Sequence, residues 1–139
     1  MILYNGATGG LGRYLAEPLR RRGEPSHALA ARLEDLPALR QELEVLDVRG
    51  PVNFIHLAAL VSVPACEADP PGAYRINVEL GRSTTNLILE WAFRRGVTAR
   101  VIFVSTGHVY AAQGWNSRLT EDAATYPRSV YARTKPEGE

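Results

Sequence analysis

The amino-acid sequence predicts an α/β fold with a doubly wound parallel sheet that helices cover on both faces. Apolar runs with the character of β-strands alternate along the chain with amphipathic segments of helical period. The first apolar run leads at once into a glycine-rich loop, which a helical pattern follows. Such alternation favours parallel strands joined by right-handed crossovers. The 139 residues suffice for one domain with one hydrophobic core, and the sequence contains no internal repeat or linker.

The first half of the chain is predicted to contain three strands and two helices. The strands are expected at residues 1–4, 27–33 and 51–59, and the helices at residues 11–22 and 36–46. In the first helix Leu11, Leu15 and Leu19 repeat on one face, and Gly23 is suited to end it. Pro18 lies inside this helix and predicts a kink or a local irregularity.

The second half is predicted to hold a proline-containing loop, a long helix, a strand, a polar loop and a last helix. These elements are expected at residues 63–72, 73–95, 100–105, 113–127 and 129–139, respectively. Gly96 is suited to end the long helix, because glycine readily adopts the left-handed conformation found at such ends. The strand sequence VIFV is wholly apolar, as expected for a strand covered on both faces.

The charge and composition of the chain argue against several classes of function. Its 16 basic and 15 acidic residues give a net charge of +1, which offers no electrostatic attraction for nucleic acid or an anionic membrane. No apolar run is long enough to span a bilayer, and the first residues lack the features of a signal peptide. Cys66 is the single cysteine, so it cannot form an internal disulfide and is expected to be structural. We therefore expect a cytoplasmic protein without a metal site.

Residues 6–12, with the sequence GATGGLG, form a glycine-rich loop between the first strand and the first helix. Glycine allows a sharp turn, lets the backbone approach a pyrophosphate, and lets the helix pack closely on the strand. The helix that follows offers free N–H groups and a partial positive charge to phosphates. The loop therefore predicts a Rossmann fold that binds a dinucleotide, with a plain structural turn as the alternative. The residues expected at the dinucleotide are Gly6, Gly9, Gly10, Leu11 and Gly12.

The end of the second predicted strand bears on the choice between NAD and NADP. An acidic residue there would bind the ribose 2′-OH of NAD, whereas an arginine would accept the 2′-phosphate of NADP. Ala30 and Ala31 occupy the positions where an acid is expected, and Arg32 follows them. An NAD(P) cofactor is therefore predicted, with a weak preference for NADPH through Arg32. The equal alternative is that Arg32 is a solvated surface charge.

Two further motifs indicate catalysis. Tyr131 and Lys135 are four residues apart in the last predicted helix and would share one of its faces. A lysine ammonium beside a phenol favours the phenolate, so such a tyrosine can exchange the proton that accompanies hydride transfer. Ser105 and Thr106 follow an apolar strand, which puts hydroxyl groups at the sheet edge where ligands bind in open α/β folds. The alternatives are a chance YxxxK on a surface helix and hydroxyls that merely end a strand.

Five segments occur in an order that is typical of one enzyme family: GATGGLG, FIHLAALVSV, YRINVELGRSTTNLI, VIFVSTGHVY and SVYARTKPEGE. In this order they resemble the extended short-chain dehydrogenase/reductases, which act on nucleotide-linked sugars as epimerases, dehydratases and reductases. The closest resemblance is to the dTDP-4-dehydrorhamnose reductase-like branch. It spans nearly the whole chain and implies a Rossmann fold, an NAD(P) cofactor and a nucleotide-sugar substrate.

At the cofactor, the resemblance implies that the loop glycines hold the pyrophosphate and that Ala58 and Ala59 lie against the ribose. Asn77 matches a helix asparagine that supports the site, and it is grouped with the cofactor-binding residues. A plain polar helix position is the alternative for Asn77.

At the reacting atoms, the resemblance implies three roles. Thr106 is the hydroxyl partner, because it stands four residues before Tyr110 as the family's catalytic Ser or Thr does. Tyr131 is the acid/base, and Lys135 binds the nicotinamide ribose and favours the phenolate of Tyr131. The expected reaction is hydride transfer to or from a keto or hydroxy nucleotide sugar, in a reductase or an epimerase.

The sequence departs from the family pattern at several points. Asn5 stands where a threonine or serine is usual. Gly107 and His108 stand where the family's dehydratases carry an acidic pair, which disfavours a dehydratase. The region of the second strand is short, so either Glu34 or Asp35 is a candidate for contact with the adenine end of the cofactor.

The family also continues beyond its Tyr-Lys helix with further strands and a smaller domain that binds the sugar nucleotide. These C-terminal strands and the substrate domain are expected to be missing from residues 1–139, which are predicted to form one NAD(P)-binding domain. A noncatalytic NAD(P)-binding regulatory subunit and an inactive fragment are therefore alternatives to an enzyme. Relatives often form dimers through their long helices, so a homodimer is compatible with the resemblance.

Overall fold

A parallel four-stranded sheet forms the centre of the protein. The computed structural model describes residues 1–110 and 118–139. The strands are β1 (Ile2–Tyr4), β2 (Ser26–Ala28), β3 (Val52–His56) and β4 (Ala99–Phe103). Their order is β2-β1-β3-β4, and every neighbouring pair is parallel. The prediction of a doubly wound α/β sheet is confirmed.

The connections of the sheet create a crevice between β1 and β3. The chain leaves β1 for β2 on one side and then crosses to β3 on the other side. In the register, Tyr4 lies opposite both Ala28 and Ile55, so the carboxyl ends of the three strands meet at one edge. Ligands in open α/β sheets bind at such a switch point.

Helices flank the sheet and connect its strands. The α-helices are α1 (Gly10–Arg21), α2 (Leu36–Glu44), α3 (Val63–Ala68), α4 (Pro70–Tyr74), α5 (Gly81–Arg94) and α6 (Val130–Gly138). A π-helical turn (Arg75–Leu80) joins α4 to α5, and a 3₁₀ turn (Gly107–Val109) follows β4. As predicted, glycines at positive φ follow α1 and α5, Gly23 at 65° and Gly96 at 67°. No helix within residues 1–110 and 118–139 is long and apolar enough to cross a lipid bilayer.

The loop predicted at residues 63–72 is wrong, because this segment forms α3 and most of α4. Its prolines lie in the first helical turns, where a missing N–H costs no hydrogen bond. The side chains of Ser62 and Asp69 cap the two helices by accepting backbone N–H groups. Proline favours loops and first helical turns alike, so its presence alone did not distinguish the two.

The second strand ends earlier than predicted, at Ala28 instead of residue 33. Leu29 still donates its N–H to the carbonyl of Tyr4. The N–H groups of Ala30 and Ala31 instead bond the Glu42 carboxylate, so the backbone leaves the sheet there. The polar loop predicted at residues 113–127 falls partly outside the described residues.

The hydrophobic core lies between the sheet and the pair α2 and α5. Strand side chains such as Leu3 and Phe54 pack there against Leu43, Ile88 and Trp91, all of which are fully buried. Arg94 and Arg95, at the end of α5, form ion pairs with Glu44 of α2 at the rim. This packing fixes the strands whose carboxyl ends form the candidate site.

Candidate cofactor and catalytic site

A cleft of about 600 Å³ opens at the switch point between β1 and β3. The glycine loop forms one wall, and the segment after β3 forms the other. The predicted cofactor-binding residues that line it are Gly6, Gly9, Gly10, Leu11, Gly12, Ala58 and Ala59. A groove of similar volume, about 620 Å³, lies between β4 and α5; it is lined by Ser105 but by none of the residues predicted to bind the cofactor.

Close backbone contacts require glycine at two positions of the loop, Gly6 and Gly12. Gly6 has a φ of 68°, and a Cβ there would lie 2.9 Å from the Ala58 nitrogen. A Cβ on Gly12 would lie 2.2 Å from the carbonyl oxygen of Gly6, where helix α1 packs on the loop. A Cβ on Gly10, by contrast, would meet nothing within 4 Å. The loop therefore leaves an open space at the N-terminus of α1, and this shape and polarity fit a diphosphate.

Asn5 joins the ends of β1 and β3 beneath this cleft. Its side-chain oxygen accepts the N–H groups of Leu57 and Ala58, at 2.8 and 2.9 Å. Its amide nitrogen donates to Nδ1 of His56 at 2.9 Å. From the sequence, Asn5 was only a departure from the family pattern. A polar residue that ends an apolar strand directly before the glycine loop was the signal that could have revealed its role.

His56 is a buried, neutral residue of this junction. Because Nδ1 accepts from Asn5, the ring proton lies on Nε2, which has no hydrogen-bond partner among the described residues. The ring stacks on Phe103, with 5.1 Å between centroids. Burial lowers the pKa of His56 to about 4, and the charge of Lys135 adds to this effect.

Near the end of β2, the residues predicted to contact the cofactor, Arg32 and either Glu34 or Asp35, are not among those that line the cleft. Leu33 lines the cleft, whereas the side chain of Arg32 is 84% exposed and lies 3.7 Å from the Glu34 carboxylate. Asp35 caps α2 by accepting the N–H of Ala38. The role of Arg32 at a 2′-phosphate stays a prediction.

Helix α6 carries Tyr131 and Lys135. One hydroxyl and one carboxylate accept hydrogen bonds from its N-terminal N–H groups. Ser129 accepts the N–H of Ala132, and Glu67 of α3 accepts the N–H of Val130 at 2.7 Å. A carboxylate in this position is favoured by the helix dipole as well as by the hydrogen bond.

Lys135 is almost fully buried, with 3% of its surface exposed. Its Nζ lies 4.4 Å from the centroid of the Phe103 ring, within the range of a cation–π contact. Burial lowers the pKa of Lys135, and the charge of Glu139 opposes this shift. The hydrogen bonds of the described residues include none between Lys135 and Tyr131. The predicted influence of Lys135 on the phenol therefore stays a prediction.

Thr106 lies at the carboxyl end of β4, where its hydroxyl caps the 3₁₀ turn by accepting the N–H of His108. The ring of His108 contacts that of Tyr131 edge-on, with 6.2 Å between centroids. Thr106 also lines a smaller cleft together with Tyr110 and Pro136 of α6. The turn that carries Thr106 is thus packed against the helix that carries Tyr131.

Asn77 links the glycine-lined cleft to helix α6. It is buried in the π-helical turn, an irregularity that is often found at functional sites. Its amide bonds both the N–H and the carbonyl of Leu60, a residue of the cleft wall, at 2.7 and 3.0 Å. It also donates to Thr134, whose hydroxyl donates to the Tyr131 carbonyl at 2.8 Å. These contacts favour a supporting role for Asn77, and direct contact with the cofactor stays a prediction.

Cys66 lies beside the same wall and is fully buried. Its thiol donates to the carbonyl of Leu60 at 3.4 Å. Burial, together with the charge of Glu67, raises the pKa of the thiol. The thiol therefore stays protonated and packs as a small apolar group, which agrees with a structural role.

Comparison with protein families gives a match over residues 1–139 to the family described as "RmlD substrate binding domain". The chain belongs to this family. The chain is also similar to the dTDP-4-dehydrorhamnose reductase of Streptomyces griseus, with 31% identity over 137 residues. That match covers 99% of the chain and 43% of the reductase. The predicted resemblance to this branch of the short-chain dehydrogenases is confirmed.

Two solved structures are also similar. RMD from Pseudomonas aeruginosa, complexed with NADPH, is 26% identical with a TM-score of 0.72. A short-chain dehydrogenase/reductase superfamily protein from Agrobacterium tumefaciens with bound NAD is 26% identical with a TM-score of 0.77. The matches cover 99% of the chain but 47% and 42% of the two proteins. The chain thus spans less than half the length of these relatives.

Proposed function

We propose that the chain forms the NAD(P)-binding part of an oxidoreductase that acts on a nucleotide sugar, and that it supplies the acid/base residues. The main support is the glycine-lined cleft at the switch point, which Asn77 and Thr134 tie to the helix of Tyr131 and Lys135. The reductase name of the Streptomyces griseus relative indicates the substrate class. No observation favours the noncatalytic alternative.

In this proposal NAD(P)H supplies the hydride, and the residues of the chain handle binding and the proton. The loop glycines and the N-terminus of α1 hold the pyrophosphate. Thr106 orients the reacting oxygen through its hydroxyl, and Tyr131 donates or accepts the proton at that oxygen. Lys135 binds the nicotinamide ribose and contributes a positive charge that favours the phenolate.

NADPH is the proposed preference over NADH. Ala30 and Ala31, at the positions where an acid is expected, supply no carboxylate for a ribose 2′-OH, and the side chain of Arg32 is exposed next to Leu33 of the cleft. The Pseudomonas aeruginosa structure contains NADPH, while the Agrobacterium tumefaciens structure contains NAD. A homodimer and a cytoplasmic location stay predictions.

The proposed function can be tested with Tyr131→Phe. In the protein assayed with NADPH and dTDP-4-dehydrorhamnose, this variant should lose turnover by about a hundredfold or more, because the proton donor is gone. Its affinity for NADPH should stay within about twofold of the unmodified chain, since the cleft is untouched. Tyr126→Phe, at an exposed tyrosine, is the matched control and should keep full turnover.

NADPH titration of the 139-residue chain, followed by its fluorescence, separates the cofactor from the substrate part of the proposal. Binding would support the cofactor role independently of any sugar, and failure of the chain to bind NADPH would reject that role. Unimpaired turnover by Tyr131→Phe would reject the role of Tyr131.

A further inference from the structure

One carboxylate, that of Glu42, bonds two backbone N–H groups of the loop after β2, residues 29–33. Both oxygens of Glu42 accept the N–H of Ala30, at 2.9 and 3.1 Å, and one of them also accepts the N–H of Ala31 at 3.0 Å. Nε2 of His27 bonds the other oxygen at 2.8 Å. Glu42 lies on α2, so this carboxylate joins the helix to the edge strand and to the loop.

The carboxylate is built into the fold and is charged. Its side chain is 16% exposed. Burial alone would raise the pKa of Glu42, but the N–H groups of Ala30 and Ala31 and the ring of His27 together lower it. The two backbone N–H groups are thereby already satisfied, and they are not free to bind another anion.

The same loop carries residues at the part of the cleft where the proposed function would put the adenosine of the cofactor. Leu33 lines the cleft with the glycine loop, and Arg32 extends into solvent next to it. Since the N–H groups of residues 30 and 31 are occupied, the Arg32 side chain is the cationic group of this loop that remains for a phosphate. Its place depends on the path of the backbone that Glu42 holds.

We propose that Glu42 is a positioning residue for recognition of the cofactor's 2′-phosphate, because it fixes the loop from which Arg32 and Leu33 project. This inference rests on the proposed function. Glu42 acts through Arg32 and does not touch the cofactor. A purely structural role would weaken NADH and NADPH binding alike, whereas a positioning role changes the ratio of the two affinities.

The test measures the dissociation constants of NADPH and NADH for the 139-residue chain and for the variants Glu42→Gln, Arg32→Gln and the double variant. An amide offers one acceptor oxygen where the carboxylate offers two, so Glu42→Gln should lower the preference for NADPH by about fivefold. In the Arg32→Gln background the same change should leave the preference unaltered. Glu42→Asp, which withdraws the carboxylate by one methylene, should act as Glu42→Gln does.

Glu44→Gln is the matched control, because it removes the same charge from the same helix at a surface ion pair. It should leave the NADPH preference unchanged. An unchanged preference in both Glu42 variants, or an equal change with and without Arg32, would overturn the role of Glu42. Failure of the unmodified chain to bind either cofactor would instead overturn the proposed function, and the inference with it.

Discussion

At the proposed cofactor end of the site, around the glycine loop, the backbone packs directly against itself. At the proposed catalytic end, around helix α6, separate elements are joined by side-chain hydrogen bonds. Cβ atoms on Gly6 and Gly12 would lie 2.9 and 2.2 Å from main-chain atoms of neighbouring segments. The shape of the cofactor cleft therefore depends on the absence of side chains at a few positions. Such a fit leaves little room to adjust, because main-chain atoms cannot rotate away as side chains can.

The catalytic helix depends on contacts that span the sequence. Glu67 accepts the N–H of Val130, 63 residues further along, and Asn77 bonds Thr134, 57 residues further along. A substitution that shortens a side chain removes one of these contacts at a time, and it adds no atoms that could clash with the backbone. The difference implies that substitutions at the cofactor end should abolish binding, while those at the catalytic end should loosen the helix and leave the cleft intact.

Gly12→Val should have the largest effect, because its side chain would collide with the carbonyl of Gly6 and with Ala7. We expect the free energy of unfolding to fall by about 4 kcal/mol and NADPH binding to be lost. Urea unfolding and NADPH titration measure the two effects. Gly10→Ala is the matched control, since its Cβ meets nothing within 4 Å, and its free energy of unfolding should change by less than about 1 kcal/mol. Equal losses in the two variants would mean that the backbone fit is not what shapes the cleft.

Asn77→Ala should have the next largest effect, at the catalytic end. It would leave the N–H of Leu60 without a partner and remove two further hydrogen bonds in a buried place. We expect urea unfolding to give a loss of about 3 kcal/mol in the free energy of unfolding. NADPH affinity of the folded chain should fall by only about threefold, or roughly 0.7 kcal/mol, because the glycine loop is unchanged.

Asn86→Ala serves as the control for Asn77, because Asn86 is exposed on the adjoining helix α5. Its free energy of unfolding should stay within about 0.5 kcal/mol of that of the unmodified chain. If Asn77→Ala abolished NADPH binding as completely as Gly12→Val, the two ends of the site would not be held independently.

The same difference explains how much of the molecule could be predicted from its sequence. The glycine loop was predictable, because its requirement is local and three glycines at fixed spacing reveal it. The alternation of strands and helices was also local, and it gave the fold class correctly. Helix ends at Gly23 and Gly96 followed from the left-handed conformation that glycine favours.

Contacts between elements that are distant in the sequence were harder to predict. Asn77 could be grouped with the site only by resemblance, because its partners Leu60 and Thr134 come together only in the fold. Glu42 gave no signal at all, since a glutamate on an amphipathic helix ordinarily faces solvent. The roles of Asn5 and His56 required the strand order, which places the ends of β1 and β3 side by side.

The hydrogen bond between Asn5 and His56 predicts a smaller effect, a fall in stability at low pH. The pKa of His56 is lowered from 6.5 to about 4 in the folded chain, so the unfolded chain binds more protons between these values. Stability is therefore complete above the unfolded pKa and declines as the pH falls towards the folded one. We expect the free energy of unfolding to drop by about 2 kcal/mol between pH 7 and pH 5 from this group.

The pH effect should appear at the cofactor end, because a protonated Nδ1 can no longer accept the hydrogen bond from Asn5. Urea unfolding at several pH values measures it, and His56→Gln should abolish most of the decline over this range. His108→Gln, at an exposed histidine, should retain it. Carboxylates with lowered pKa, such as Glu42, lose their contribution mainly around and below 4.5, which separates them from His56. A decline that persists unchanged in His56→Gln would mean that another group causes the acid sensitivity and that the junction does not depend on a neutral histidine.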